Sequence, residues 1–298
     1  SVGAGYTVSN ESFFNVKAIN YLRFRTAYGW NGHIDKSASP YITATPWIDP
    51  VNQSQYAAVL STPNPALTWE KTANLNLGMD FGLFDNRIKG LLEIYTKKTN
   101  NVLADFAVNP TYGFYYDEAT LNQGDISNKG VEMELSSLII DRKIKWQTSF
   151  NYAHNKNRVL NVTSEGSNLA SRTGLSQFNP VAGQPVDYIA VAEFAGYSDD
   201  GLLQVIYQGG PKTILEVPYI GADLDDLLKY VGQRSPKHSG SFINNISYGN
   251  FEVSARLLYS FGNKFLNDAP PRSTLYNAQR FSNFFTFLPQ LMVDRWQS

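Results

Sequence analysis

The residues with the most chemical potential in this 298-residue chain are few and scattered. Its three histidines, His33, His154 and His238, show neither Ser-His-Asp nor metal-ligand spacing. An enzymatic reading would need one of them beside a carboxylate and a serine in a single cleft, and the expectation is no catalytic residue. Asp223, Asp225 and Asp226 sit in GADLDDLLKYVG, which lacks the alternating oxygens and glycine of a calcium loop. They read as a solvated acidic loop, so no metal and no cofactor is expected. Aromatic rings are the better binding candidates. Trp47, and Tyr112, Phe114, Tyr115 and Tyr116 of TYGFYY, carry flat faces that stack on sugar CH groups or on peptide side chains. Aromatics in connections also pack on neighbouring connections or meet a membrane interface, so this reading stays open. Cysteine is absent, which removes disulfides, thiolate metal sites and cysteine nucleophiles.

The elements that must position these residues are strands. In EKTANLNLGMDFGLFDNRIKGLLEIYTKK, residues 70 to 98, Ala73, Leu75, Leu77, Met79, Phe81 and Leu83 fall on one face. Asn74, Asn76, Gly78, Asp80 and Gly82 fall on the other. After a turn at Asp85-Asn86, Ile88, Leu92 and Ile94 continue the apolar face, while Arg87, Lys89, Glu93 and Tyr95 mostly continue the polar one. The same two-sided pattern recurs at 21 to 30, 126 to 138, 144 to 156, 240 to 248 and 251 to 262, and helical periodicity is almost absent. Tight turns at Asp85-Asn86, Asp141-Arg142 and Gly249-Asn250 alternate with long connections at 31 to 70, 99 to 125, 157 to 239 and 263 to 298. YIAVAEFAG at 188 to 196 reads as strand inside one of these excursions.

Strands of about ten residues, tilted about 45°, cross a bilayer's hydrocarbon core. Short turns on one side and long loops on the other are what outer-membrane barrels show. A soluble β-sandwich also alternates core and solvent. Against it stand the strand lengths, a polar face rich in Gly, Ser and Asn, and the length of the connections. The expected fold is therefore all-β, an antiparallel transmembrane β-barrel with polar residues facing the lumen. These would be Arg23, Arg25, Asn74, Asn76, Asp80, Glu93, Glu132 and Glu134. A net charge of -1 gives no basic footprint, so nucleic acid is not an expected partner. Aromatics make up 14% of the chain, more than a core needs, which suits interfacial girdles or a ligand surface.

NPALTWEKTANLNLGMDFGLFDNRIKGLLEIYTKKTNNVL at 64 to 103 resembles the barrel of SusC/RagA-like TonB-dependent outer-membrane transporters. Four further pieces agree in order: YLRFRTAYGWNGH at 21 to 33, GDISNKGVEMEL at 124 to 135, VGQRSPKHSGSFINNISYGNFEVSARLLYSFGN at 231 to 263, and VDRWQS at 293 to 298. The resemblance implies an integral protein of the outer membrane of a Bacteroidetes-type bacterium, set in outer-membrane lipid. It implies residues 1 to 298 as part of a plugged barrel of about 22 strands. The plug domain, the first barrel half and the final strands would lie elsewhere. Implied partners are a SusD-like lipoprotein lid, the TonB complex through the N-terminal part, and an oligosaccharide or peptide substrate. A structural or adhesion barrel without energised transport is the alternative, and a passive porin a third.

Overall fold

The computed structural model describes residues 1–34, 41–61, 64, 66–107, 118–162, 180–217 and 224–265. By internal contacts the chain divides into two units, the first being 1–166, 177–187 and 235–262, and the second 167–176, 188–234 and 263–298.

The first unit is an eight-stranded antiparallel sheet. In sheet order its strands are β1 (Val2–Thr7), β2 (Ile19–His33), β5 (Glu70–Leu83), β6 (Ile88–Ala107), β7 (Glu118–Asp141), β8 (Ile144–Val162), β14 (His238–Tyr248) and β15 (Phe251–Phe261). A separate hairpin, β3 (Thr43–Ile48) with β4 (Gln55–Ser61), lies within the connection from β2 to β5. The predicted all-β architecture and face assignments hold throughout this sheet. Lateral pairing carries each apolar row across strands: Leu22 opposes Phe81, Phe24 opposes Met79, Leu77 opposes Ile94, and Leu92 opposes Met133. The row ends on Val253, Ala255, Leu257, Tyr259 and Phe261 of β15.

This outward face is not buried. Leu77 is 49%, Val253 66% and Leu257 64% exposed, so a broad apolar surface spans the sheet. Such a surface far exceeds what a soluble monomer leaves in water. Polar groups on it are satisfied locally: the Trp146 indole N–H donates to Asn244 Oδ1 at 3.0 Å, and Thr148 Oγ1 donates to the Ile243 carbonyl at 3.2 Å.

Three details differ from the sequence expectation. β6 and β7 continue to Ala107 and from Glu118, so most of the expected loop at 99 to 125 is strand. Polar residues such as Thr99 and Asn122 hid this, because beyond the hydrocarbon both faces of a strand can be polar. β7 also runs through Asp141, which moves the tight turn to Arg142-Lys143. Finally, residues 8 to 18 form a longer connection at the tight-turn end, including a 3-10 turn at Val8–Asn10.

The hairpin turn between β5 and β6 places three consecutive non-glycine residues, Phe84, Asp85 and Asn86, at φ of 53°, 56° and 61°. Left-handed backbone there costs energy, and a neighbouring strand offsets it. Asn20 Oδ1 accepts from the Asp85 N–H at 2.6 Å, Asn20 Nδ2 donates to Asp85 Oδ1 at 3.1 Å, and the Phe84 N–H donates to the Ala18 carbonyl at 3.0 Å.

The second unit has its own small core. β10 (Phe194–Tyr197), β11 (Leu203–Tyr207) and β12 (Gly210–Thr213) form one sheet, and β9 (Tyr188–Ala192) pairs with β13 (Leu228–Gln233). Val205, Tyr207, Val217, Leu224 and Leu227 pack together. The strand expected at 188 to 196 is present as β9 and β10. Just after β12, Glu216 accepts from the Thr213 N–H at 2.8 Å and from its hydroxyl at 2.7 Å, which holds its carboxyl below the usual carboxylate range.

Candidate functional site

The polar face of the first unit gathers all eight residues expected to face the lumen. Arg23 pairs with Asp80, Ala27 with Asn76, and Gly29 with Asn74. Glu93 lies between Gly78 and Glu132, and Glu134 opposes Leu91. Arg25 is the hub. Its Nε reaches Asp80 Oδ2 at 2.8 Å and its Nη2 reaches Asp80 Oδ1 at 3.2 Å, a bidentate pair, with Glu93 Oε2 3.6 Å from the same Nη2.

Small residues make this geometry possible. A Cβ at Gly78 would meet Arg25 Nη2 at 2.9 Å, and one at Gly5 would meet Arg23 Nη2 at 2.9 Å, so both guanidinium groups lie flat over glycine. Between them opens a recess of about 310 Å³, lined by Arg23, Arg25, Asn76 and Glu93 over Gly3 and Gly5. Asn76 Oδ1 is buried there without a hydrogen-bond partner among the described residues. A group donating a hydrogen bond fits that oxygen. Glu93 and Glu132 are directly opposed like charges, an arrangement that costs stability unless a cation is near. Arg25 answers Glu93, while no ion pair among the described residues engages Glu132 or Glu134.

Arg25→Ala is expected to lower stability of the folded full-length wall by about 1–2 kcal/mol, since the pair is partly solvated. Arg25→Lys should recover less than half, because an ammonium cannot make the paired bonds. Urea midpoints in detergent measure both.

The sequence reading placed Tyr95 on this face but missed its neighbours Asn128, Asn155 and Asn157. Tyr95 lies over Gly130 and donates to Asn155 Oδ1 at 3.3 Å, while Asn155 and Asn157 donate to Asn128 at 3.3 and 2.9 Å. An ammonium from Lys97 sits 4.9 Å from the Tyr95 ring centroid. Polar alternation could have found these positions, but not their lateral partners.

The histidines are less scattered than their spacing implies. His154 pairs with His238 across β8 and β14, with ring centroids 4.5 Å apart. Tyr152 Oη lies 2.7 Å from His238 Nδ1, and Phe261 stacks on His238 at 4.6 Å. Tyrosine, phenylalanine and a backbone carbonyl surround the pair, so the carboxylate and serine of a catalytic cleft are not what contacts it. Asp225 and Asp226 are exposed on a helical turn, Leu224–Leu227, whose leucines enter the core of the second unit. The described residues contain no group of three or more His, Asp or Glu able to hold a metal. Asp223 lies outside them, as do Tyr112, Phe114, Tyr115 and Tyr116. Trp47 is described, half-exposed on β3 opposite Tyr56.

A sheet with one exposed apolar face, one polar face and tight turns at one end is a piece of membrane-barrel wall. The family model for the TonB dependent receptor-like β-barrel matches residues 1–296. The chain belongs to that family. TonB-dependent receptor P3 of Formosa agariphila is 28% identical over 286 residues, which is 88% of this chain and 28% of that protein. TonB-dependent receptor SusC of Bacteroides thetaiotaomicron is 28% identical over 174 residues, 55% of this chain and 17% of the relative. Among solved structures, the RagAB peptide transporter matches with a TM-score of 0.69 at 21% identity, covering 87% of this chain and 29% of that one. The chain thus spans less than a third of the length of these relatives. As a TonB-dependent receptor barrel it resides in the outer membrane, and its family is one of receptors and transporters, not enzymes.

Proposed function

We propose that the protein of which this chain forms wall strands imports oligosaccharides or peptides across the outer membrane, energised through TonB and working with a SusD-like surface lipoprotein. The observation that carries this reading is the charged inner face, on a wall that matches the TonB-dependent receptor model over 1–296. A water-filled porin also lines its lumen with charge, so the feature that favours a filled lumen is the Asn76 amide oxygen, buried without a hydrogen-bond partner among the described residues. A plug domain inside the barrel supplies donors and cations, so Arg23, Arg25, Asn74, Asn76, Asp80, Glu93, Glu132 and Glu134 are plug-facing in this proposal. The loop aromatics Trp47, Tyr112, Phe114, Tyr115 and Tyr116 are proposed substrate or lid contacts. The RagAB peptide transporter, whose fold the chain matches, supports the peptide class, while the oligosaccharide class rests on the sequence resemblance alone.

The test is uptake of labelled oligosaccharide and peptide pools by cells with and without the full-length gene, before and after collapse of the proton gradient. Uptake of one pool should fall to background on deletion and on uncoupling. Unchanged uptake of every oligosaccharide and peptide after deletion would overturn the proposal and favour a structural or adhesion barrel.

A further inference from the structure

The outward face changes character abruptly at one height. Along β7 and β8 it runs from Leu135 and Phe150 through Met133 and Tyr152 to Val131 and His154, and then meets Lys129 opposite Lys156. One step further on the same face, Arg158 lies opposite Ser127. Lys129, Lys156 and Arg158 are all exposed. No carboxylate among the described residues pairs with them, and the neighbouring Asp125 is engaged by Lys98 at 4.0 Å and Asn161 at 3.1 Å.

Two lysines directly opposed across strands have Cβ atoms about 5 Å apart, which is unfavourable unless an anion sits between them. Their height identifies that anion. Lys156 is about eleven residues above Lys145 at the tight turn; at about 3.3 Å each and about 45° tilt, that is about 25 Å, the height of the apolar band of an outer-membrane barrel. The cations therefore stand where the apolar band ends on the long-connection side. One rung below, His154 begins a lateral row of rings that continues across the sheet to His238 and Phe261. We propose that Lys129, Lys156 and Arg158 form a docking site for the phosphorylated headgroup of an outer-leaflet lipid, whose acyl chains lie on the apolar rows below. Phosphate suits this site because ammonium groups bind it as point charges and their stems lie along apolar surface. The inference rests on outer-membrane residence and is independent of what the protein imports.

The experiment uses the full-length protein in detergent, incubated with diphosphoryl lipid A or the same lipid stripped of phosphate, with retained lipid counted by native mass spectrometry. The wild type should hold the phosphorylated lipid and discriminate against the stripped one. Lys129→Gln/Lys156→Gln should lower retention about tenfold, while Lys89→Gln/Lys97→Gln, which removes the same charge from the inner face, should leave it unchanged. Heat-modifiable gel mobility confirms a folded barrel for each variant, and Lys156→Gln alone serves if the double variant does not fold. Equal retention of both lipids, equal loss in the inner-face control, or displacement by millimolar inorganic phosphate would overturn the proposal.

Discussion

Leu135→Arg is expected to destabilise the full-length barrel by about 2–4 kcal/mol, whereas Ser136→Arg, one residue along, should cost less than about 1 kcal/mol. Leu135 lies on the outward face between Gly90 and Phe150, about six residues above the tight turn and so near mid-height of the apolar band. An arginine there must leave water for hydrocarbon, and both membrane interfaces are too far for its head to reach comfortably. Ser136 faces inward between Lys89 and Ser149, beside Glu134, where a guanidinium remains hydrated. Reversible urea unfolding in lipid vesicles reads both values. Similar costs at the two positions would mean that the faces are not differently solvated.

Gly130→Ala should cost about 2–3 kcal/mol, although alanine normally gains over glycine in a strand. Gly130 is buried, and a Cβ there would stand 2.5 Å from the His154 backbone oxygen and collide with the phenol end of Tyr95. A ring can turn aside, but a carbonyl fixed in the β7–β8 ladder cannot. Adding Tyr95→Ala to Gly130→Ala should therefore rescue less than half of the loss. Gly90→Ala provides the contrast, because the nearest atoms to a Cβ there belong to the Phe81 ring and a Leu135 methyl, and these side chains can repack. Urea midpoints of the three variants against wild type test this ordering; full rescue by Tyr95→Ala would show that the carbonyl contact is not the cause.

The wall itself was legible because period-two alternation in a barrel is enforced twice, by lipid on one side and by polar lumen on the other. Residues 73 to 83 could be assigned to faces without any knowledge of their neighbours. Lateral pairing was less accessible. Across a tight turn such as Phe84–Arg87 the register follows by counting, which is how Leu77 finds Ile94. Across a long connection it does not: His154 and His238 are 83 residues of connection apart in expectation and direct partners in space. The upper ends of β6 and β7 were hidden for a related reason, since above the hydrocarbon no solvent difference writes a pattern into the strand. The cationic rung of Lys129 and Lys156 spans a tight turn, but a turn at Asp141-Arg142 pairs Lys129 with His154 by counting, and only the observed register, with its irregularity between Leu138 and Ile140, sets Lys156 opposite it. The hub at Arg25 was foreseen as lumen-facing, but its reach to Asp80 and Glu93 depends on Gly78 opposite it, which alternation marks only as a small residue on the polar face.

The central claim is that this sheet presents alternate residues to lipid and to a polar interior. Residues 1 to 298 contain no cysteine, so once any cysteine elsewhere in the full-length protein is replaced, single cysteines can be placed in turn at positions 131 to 138 and carry a nitroxide label in native-like membranes. Collision with dissolved oxygen, which concentrates in hydrocarbon, should peak at positions 131, 133, 135 and 137, with a water-soluble nickel chelate showing no matching peaks there. A flat profile, or peaks at 132, 134 and 136, would contradict the account.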